Sequence, residues 1–208
     1  MVAGSLVVTG TLALLGFLYA VDVVGWPRFA LNREYTPAST WSAVLLLLAA
    51  AAAARTASGS GAPGRWVLAG LFAYMAVDEE MAIHEALERA TGVDWQTLFA
   101  PVIAVAAIAF VWVVRGIDRR EVRWLLVAGA AAWGTAQLFE KLEWHGAVPQ
   151  PHYKAFMLSE ETLEMLGSTL FATGFAVLAV LAATHRPRAR EVAGSPRALT
   201  RVKTREPV

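Results

Sequence analysis

Carboxylates and histidines that could do chemistry are concentrated in three short segments of this chain, at positions 78–85, 140–145 and 160–164. Their acidic and histidine side chains are Asp78, Glu79, Glu80, His84 and Glu85, then Glu140, Glu143 and His145, then Glu160, Glu161 and Glu164. Such groups are ligands for divalent metals and are also general acids and bases. The elements that carry them are strongly apolar, and a charged carboxylate in hydrocarbon is costly unless it is paired, wetted or bound to metal. The clusters are therefore candidates for function.

Helical spacing predicts which of these side chains share a face. No Gly or Pro interrupts the sequence from Asp78 to Thr91, so we expect the helix that begins near Trp66 to continue through the first cluster. At 100° per residue, Glu80 and His84 would lie about 40° apart on that helix, and Asp78 and Glu85 about 20° apart. Each pair would then present two polar groups in one direction.

These faces predict a metal site built from three helices. The predicted ligands are Glu80, His84, Glu140, Glu161 and Glu164. Asp78 and Glu85 are assigned catalytic roles as supporting groups or proton relays. The ion would be a divalent metal such as iron, manganese or zinc. The arrangement resembles the ferritin-like di-metal carboxylate proteins, although Glu80 and His84 are four positions apart where that family has Glu-x-x-His.

The composition is that of a membrane protein. The chain has 208 residues, of which 57% are hydrophobic and 17% charged, and its mean hydropathy is +0.49. Its apolar runs approach the ~20 residues that cross a bilayer as a helix. We predict an all-α, polytopic integral membrane protein with about six transmembrane helices, formed by residues 6–24, 38–54, 66–91, 95–116, 123–144 and 156–184.

The basic residues predict the orientation and the domain boundaries. Thirteen of the 18 Lys and Arg residues would lie on one side of the membrane, together with both termini. The positive-inside rule makes that side cytoplasmic. We expect a single transmembrane domain over residues 1–185 and a disordered, basic cytoplasmic tail over residues 186–208. All three polar clusters would then lie near the outer face of the cell inner (plasma) membrane.

Several classes of protein and of site are excluded. There is no cysteine, so disulfides and thiolate metal sites are absent. The net charge is only +1, and no basic, aromatic face indicates a nucleic-acid partner. The expected partners are membrane lipids and a lipid-soluble substrate. The richness in Ala, Arg, Gly and Val is typical of a GC-rich bacterial genome, and the sequence does not determine the oligomeric state.

Three functions fit this pattern. The first is a membrane-embedded metal-binding protein, which could be a metal-dependent enzyme acting on a lipid or lipid-soluble substrate near the outer membrane face. The second is a non-enzymatic scaffold or binding protein whose acids form a structural polar network. The third is an ion- or proton-coupled transporter. A solvated helix end for residues 78–85 and favourable helix N-terminal charge for Glu160 are the simpler explanations of the acids.

Overall fold

The computed structural model describes residues 2–33, 35–145 and 148–193. These residues form an all-helical structure, as the composition predicted. The helices are α1 (Val2–Ala20), α2 (Pro37–Ser60), α3 (Pro63–Met81), α4 (Ile83–Thr91), α5 (Trp95–Arg115), α6 (Arg120–Glu143) and α7 (Tyr153–Ala193). A 3-10 turn covers Pro27–Phe29, and two short strands, β1 (Trp144–His145) and β2 (Val148–Pro149), form an antiparallel pair between α6 and α7.

Four of the helices are long and apolar enough to cross a membrane. Among the described residues, the four candidate spans are Ala3–Ala20, Pro37–Gly59, Trp95–Arg115 and Tyr153–Thr184. The other two predicted spans correspond to α3 and α6, which are 19 and 24 residues long. These two helices carry more charge, because α3 ends in Asp78, Glu79 and Glu80 and α6 is charged at both ends. The structure thus supports a helical membrane protein with four candidate spans.

Local signals explain most of the helix boundaries. Thr36 and Ser39 form a reciprocal capping box at the start of α2, and Pro37 occupies the first turn. Gly61 ends α2 in the left-handed conformation, with φ 64°. The helix therefore continues to Ser60, six residues beyond the predicted end of the second span at residue 54.

The third predicted span is also shorter than expected. Helix α3 ends at Met81, and Ala82 adopts a left-handed conformation with φ 44° and ψ 49° before α4 begins at Ile83. The absence of Gly and Pro did not keep the helix continuous through the charged residues. Because the break lies between Glu80 and His84, the angular spacing calculated for one continuous helix does not apply to them.

Helix α7 is the central packing element. It contacts α1, α2 and α6, while α3 packs between α2 and α5. Phe72 of α3 lies at the centre of the core, with ring centroids 4.9 Å from Phe171 and 5.6 Å from Phe175 of α7. Helices α6 and α7 approach closely where Gly129 faces the Gly167 carbonyl. This packing aligns the acidic ends of α3 and α6 with the first half of α7.

Helix α7 extends beyond the predicted span, to Ala193. The predicted tail is thus helical at its beginning, over residues 186–193. Residues 194–208 lie outside the described residues, and the prediction of disorder is not tested there.

Candidate functional site

The break at Ala82 places His84 against Asp78. The backbone N–H of His84 donates to Asp78 Oδ1 at 2.9 Å, and Nδ1 of the His84 ring lies 2.7 Å from Asp78 Oδ2. Asp78 therefore supplies a cap for the N-terminus of α4, where Ala82 has no side chain that could do so. The same carboxylate fixes the position of the imidazole.

The electrostatic surroundings of His84 make its ring a stronger base than a free imidazole. Burial lowers its pKa, but the hydrogen bond and charge of Asp78, with the charges of Glu140 and Glu85, raise the pKa above its ordinary value of 6.5. Within the described part of the chain, no hydrogen bond is made by Nε2 of His84. Since Asp78 occupies Nδ1, the opposite nitrogen is available to a ligand.

Glu140 of α6 is held by two donors from α5. The Trp95 indole N–H donates to Glu140 Oε1 at 2.6 Å, and the Gln96 amide donates to Oε2 at 2.9 Å. The Trp95 ring also lies 5.1 Å from the His84 ring, measured between centroids. Trp95 of α5 thus contacts both His84 of α4 and Glu140 of α6.

Two glutamine side chains continue this network to α7. Gln96 Nε2 donates to Gln137 Oε1 at 3.2 Å, and Gln137 Nε2 donates to Glu164 Oε1 at 3.2 Å. Glu140 and Glu164 are therefore linked through hydrogen-bonded amides. Amide donors of this kind stabilise a carboxylate in an apolar bundle without supplying a positive charge.

Glu79 occupies the inner side of the same polar region. It forms a hydrogen bond with the Ser42 side chain of α2, and Ser42 Oγ donates to Ser168 Oγ of α7 at 3.3 Å. Trp133 Nε1 of α6 donates to the same Ser168 oxygen at 3.3 Å. Glu79 also interacts electrostatically with Glu164, so α3 and α7 each contribute an acid to the interior.

Glu143 and Glu160 form a second pair beside this region. Their side chains are hydrogen-bonded to each other, and Glu143 is buried. Two carboxyl groups can hydrogen-bond directly only when one of them carries a proton. A shared proton would allow these two acids to lie together in this part of the bundle.

The five predicted metal ligands are only partly brought together. His84, Glu140 and Glu164 belong to one connected region, and Glu161 is close enough to Glu164 to interact with it electrostatically. Glu80 makes no hydrogen bond to another described side chain, because the helix break separates it from His84. Among the described residues, no group of three or more His, Asp or Glu side chains is positioned to hold a metal ion.

The two predicted catalytic residues differ in their surroundings. Asp78 is half-buried and holds His84, whereas Glu85 is exposed and pairs with Arg89 at 2.7 Å. The donors Trp95 and Gln96 were missed as site residues, and Glu79 was named among the clustered acids but was given no role. The position of Trp95 and Gln96 in the first turn of α5, at the same end of the bundle as the acids, was the available signal.

The whole polar region lies within the part of the chain that matches a known family model. Residues 6–179 match the model described as a domain of unknown function, DUF8692. No curated protein and no solved structure matches the chain. Because the match covers all but the first few residues of α1 and the last turns of α7, the chain belongs to the DUF8692 family.

Proposed function

We propose that this protein is a membrane-embedded enzyme that performs acid–base chemistry on a polar group of a lipid-soluble substrate, with His84 as the proton acceptor. The observation that carries the proposal is the double contact between Asp78 and His84. The backbone nitrogen of His84 lies 2.9 Å from Asp78 Oδ1, and its ring atom Nδ1 lies 2.7 Å from Asp78 Oδ2. A histidine that is oriented through Nδ1 by a carboxylate can accept a proton at Nε2.

Asp78 and Glu140 would support this step in different ways. Asp78 would stabilise the imidazolium that forms when Nε2 takes a proton from a hydroxyl group or water. Glu140 interacts electrostatically with His84 and is fixed by Trp95 and Gln96. It would place a second acceptor beside the ring without moving when the substrate binds.

The proposal includes a topology of six spans with both termini cytoplasmic. Helices α3 and α6 contain 19 and 24 residues, and a helix of about 20 residues crosses a hydrocarbon layer of roughly 30 Å. Their charges lie at helix ends, where they would meet the interface. The excess of basic residues on the side of the termini supports this orientation. His84 would then lie near the outer face of a bacterial plasma membrane.

The test is a comparison of membrane lipids from cells that produce the protein and its variants. Untargeted mass spectrometry of lipid extracts should show one or more species whose level changes several-fold with the wild-type protein. The change should be lost in His84→Gln and strongly reduced in Asp78→Asn. His152→Gln is the matched control, because His152 is exposed and lies in the connection before α7. Unchanged lipids in all strains, with equal protein levels, would refute the enzyme proposal.

A divalent metal is a second candidate, favoured by the excess of acids. Glu164 interacts with Glu79, Glu161, Glu140 and Asp78, whereas the nearby Lys141 is paired with Asp94. A cation would relieve this repulsion. His84, Glu140 and Glu164 are the residues that would hold it, after a change in the Glu side chains, and iron, manganese and zinc are the ions that suit such ligands.

Metal content and stability test this second candidate separately from the enzyme proposal. Elemental analysis of the detergent-purified protein should find a stoichiometric metal, and a chelator should lower the melting temperature. A bound ligand at 100 times its Kd adds about 2.7 kcal/mol. His84→Ala or Glu164→Ala should abolish the chelator effect, whereas Glu88→Ala should retain it. If the purified protein contains no metal and its melting temperature is the same with and without chelator, a polar network held by shared protons is favoured instead.

A further inference from the structure

An apolar groove runs between α3 and α5 toward the polar region. It has a volume of about 500 Å³, within the range of roughly 300–1,000 Å³ for small-molecule sites. Its walls include Val67, Gly70, Leu71, Val102, Val105 and Ala106. Tyr74 and Phe99 also line it and stack with a centroid distance of 5.6 Å. The groove is open at the outer surface of these two helices.

Two features indicate that the groove suits a ligand. A Cβ atom at Gly70 would meet nothing within 4 Å, so the glycine leaves open space there and does not serve a close helix contact. The Tyr74 hydroxyl is buried and has no hydrogen-bond partner in the described part of the chain. Buried hydroxyl groups normally have partners, and a polar group of a ligand could supply the missing hydrogen bond.

Aromatic rings connect the groove to His84. From Tyr74 the row passes to Phe99, then to Trp95 at 6.1 Å from Phe99, and then to His84 at 5.1 Å from Trp95. Tyr74 is also one helical turn before Asp78 on α3. A chain lying in the groove would therefore extend toward the imidazole that Asp78 holds.

The surrounding charges select the polar group of such a ligand. Asp78, Glu79 and Glu140 lie at this end of the bundle, and each interacts electrostatically with His84 or with a neighbouring acid. An anionic headgroup would be repelled by these carboxylates. A neutral hydroxyl group can hydrogen-bond with Tyr74 and His84 without that repulsion.

We propose that the α3–α5 groove binds the hydrocarbon chain of a long-chain alcohol and directs its hydroxyl group toward Tyr74 and His84. This inference names the substrate class for the proposed function and rests on it for the role of His84. Occupation of the groove itself does not require His84 to react, so the two can be tested separately.

The test is photolabelling of the protein in phosphatidylcholine vesicles with a diazirine derivative of hexadecanol. Peptide mass spectrometry should locate the label on the segments 67–74 and 99–106. Gly70→Leu places a side chain at the wall of the groove, where its Cβ atom has open space, and should reduce this labelling several-fold. Gly134→Leu is the matched control, because Gly134 is an exposed helical glycine of α6 with equally open space, and its labelling should equal that of the wild type.

Competition tests the choice of headgroup. Unlabelled hexadecanol should compete several-fold better than hexadecanoate, and Tyr74→Phe should reduce this preference. Equal labelling of Gly70→Leu and wild type, label spread evenly over all outward-facing helices, or stronger competition by the fatty acid would each overturn the inference.

The variant His84→Gln separates the two proposals. Groove labelling should persist in His84→Gln, because the groove does not contain that residue. Groove labelling together with an unchanged lipid profile in cells would support the groove as a binding site and would contradict the enzyme proposal. A lipid profile that depends on His84, without groove labelling, would retain the enzyme and reject the long-chain alcohol.

Discussion

Asp78 of α3 contacts His84 at two points, since it accepts a hydrogen bond from the backbone N–H and lies 2.7 Å from ring atom Nδ1. The contact spans the left-handed Ala82, so it holds two helices at a fixed angle as well as orienting an imidazole. Structure and proposed chemistry therefore depend on the same carboxylate.

This ion pair predicts a stability that depends on pH. The pKa of His84 is raised above 6.5 in the folded protein, so the pair should stabilise the fold fully below about pH 6.5 and lose that contribution as the pH rises through the folded pKa. The charged groups that act on the ring include Asp78, Glu140, Glu85 and Glu79. Thermal melts of metal-free protein in detergent should therefore decline from mildly acidic to alkaline pH.

The variant Asp78→Asn should flatten this pH dependence, because the amide cannot pair with an imidazolium. His152→Gln should keep the wild-type profile. An equal decline in Asp78→Asn would show that other groups cause the dependence.

The left-handed Ala82 predicts a stabilising substitution to glycine. A residue with a Cβ atom is strained at φ 44°, so Ala82→Gly should raise the free energy of unfolding by about 1 kcal/mol. Ala86→Gly in the middle of α4 should have the opposite effect and lower it by about 1 kcal/mol. Thermal melts of the two variants and of the wild type show whether each substitution raises or lowers the free energy of unfolding. Destabilisation by both variants would mean that Ala82 is not strained.

The close approach of α6 and α7 predicts strong sensitivity at Gly167. A Cβ atom there would overlap the Trp133 ring and lie 3.1 Å from the Gly129 carbonyl oxygen. Gly167→Ala should therefore destabilise the protein by about 1–3 kcal/mol. Gly134→Ala on α6, where a Cβ atom has open space, should be neutral or stabilise by up to about 1 kcal/mol. Equal melting of the two variants would contradict the packing described for these helices.

The Trp95–Glu140 hydrogen bond predicts energetic coupling between α5 and α6. Trp95→Phe removes the indole donor and should cost about 1–3 kcal/mol, because one oxygen of a buried carboxylate loses its partner. Combined with Glu140→Gln, the loss should be smaller than the sum of the two single losses, by about 0.5–3 kcal/mol. Melting of both single variants and the double variant gives this coupling. Additive losses would show that the 2.6 Å contact contributes little.

The sequence was sufficient to predict the helical class, because apolar runs of membrane-spanning length have few alternatives. The boundaries of α5 were also clear, since Asp94 accepts a hydrogen bond from the Thr97 N–H at its start and Gly116 follows its end. The break at Ala82 could not be predicted, because nothing about alanine favours a left-handed conformation. The break is accompanied by the Asp78–His84 contact between α3 and α4, which helical spacing does not reveal.

The sequence places acids on three helices at one end of the bundle, and the structure connects His84, Glu140 and Glu164 in one polar region. Their roles as metal ligands stay a prediction. Their partners were not predictable from helical spacing, because Trp95 and Gln96 belong to α5, a helix without acids of its own in this region. A side-chain amide can satisfy a buried carboxylate as a metal can, and spacing alone does not distinguish the two.

Helix α7 contains 41 residues, which at 1.5 Å per residue corresponds to a length of about 60 Å. This is about twice the thickness of a hydrocarbon layer of roughly 30 Å, and tilting alone cannot accommodate the difference. In a bilayer, several turns of α7 would therefore lie beyond the hydrocarbon layer. The helical turns up to Ala193 would then stand clear of the lipid tails on that side of the membrane.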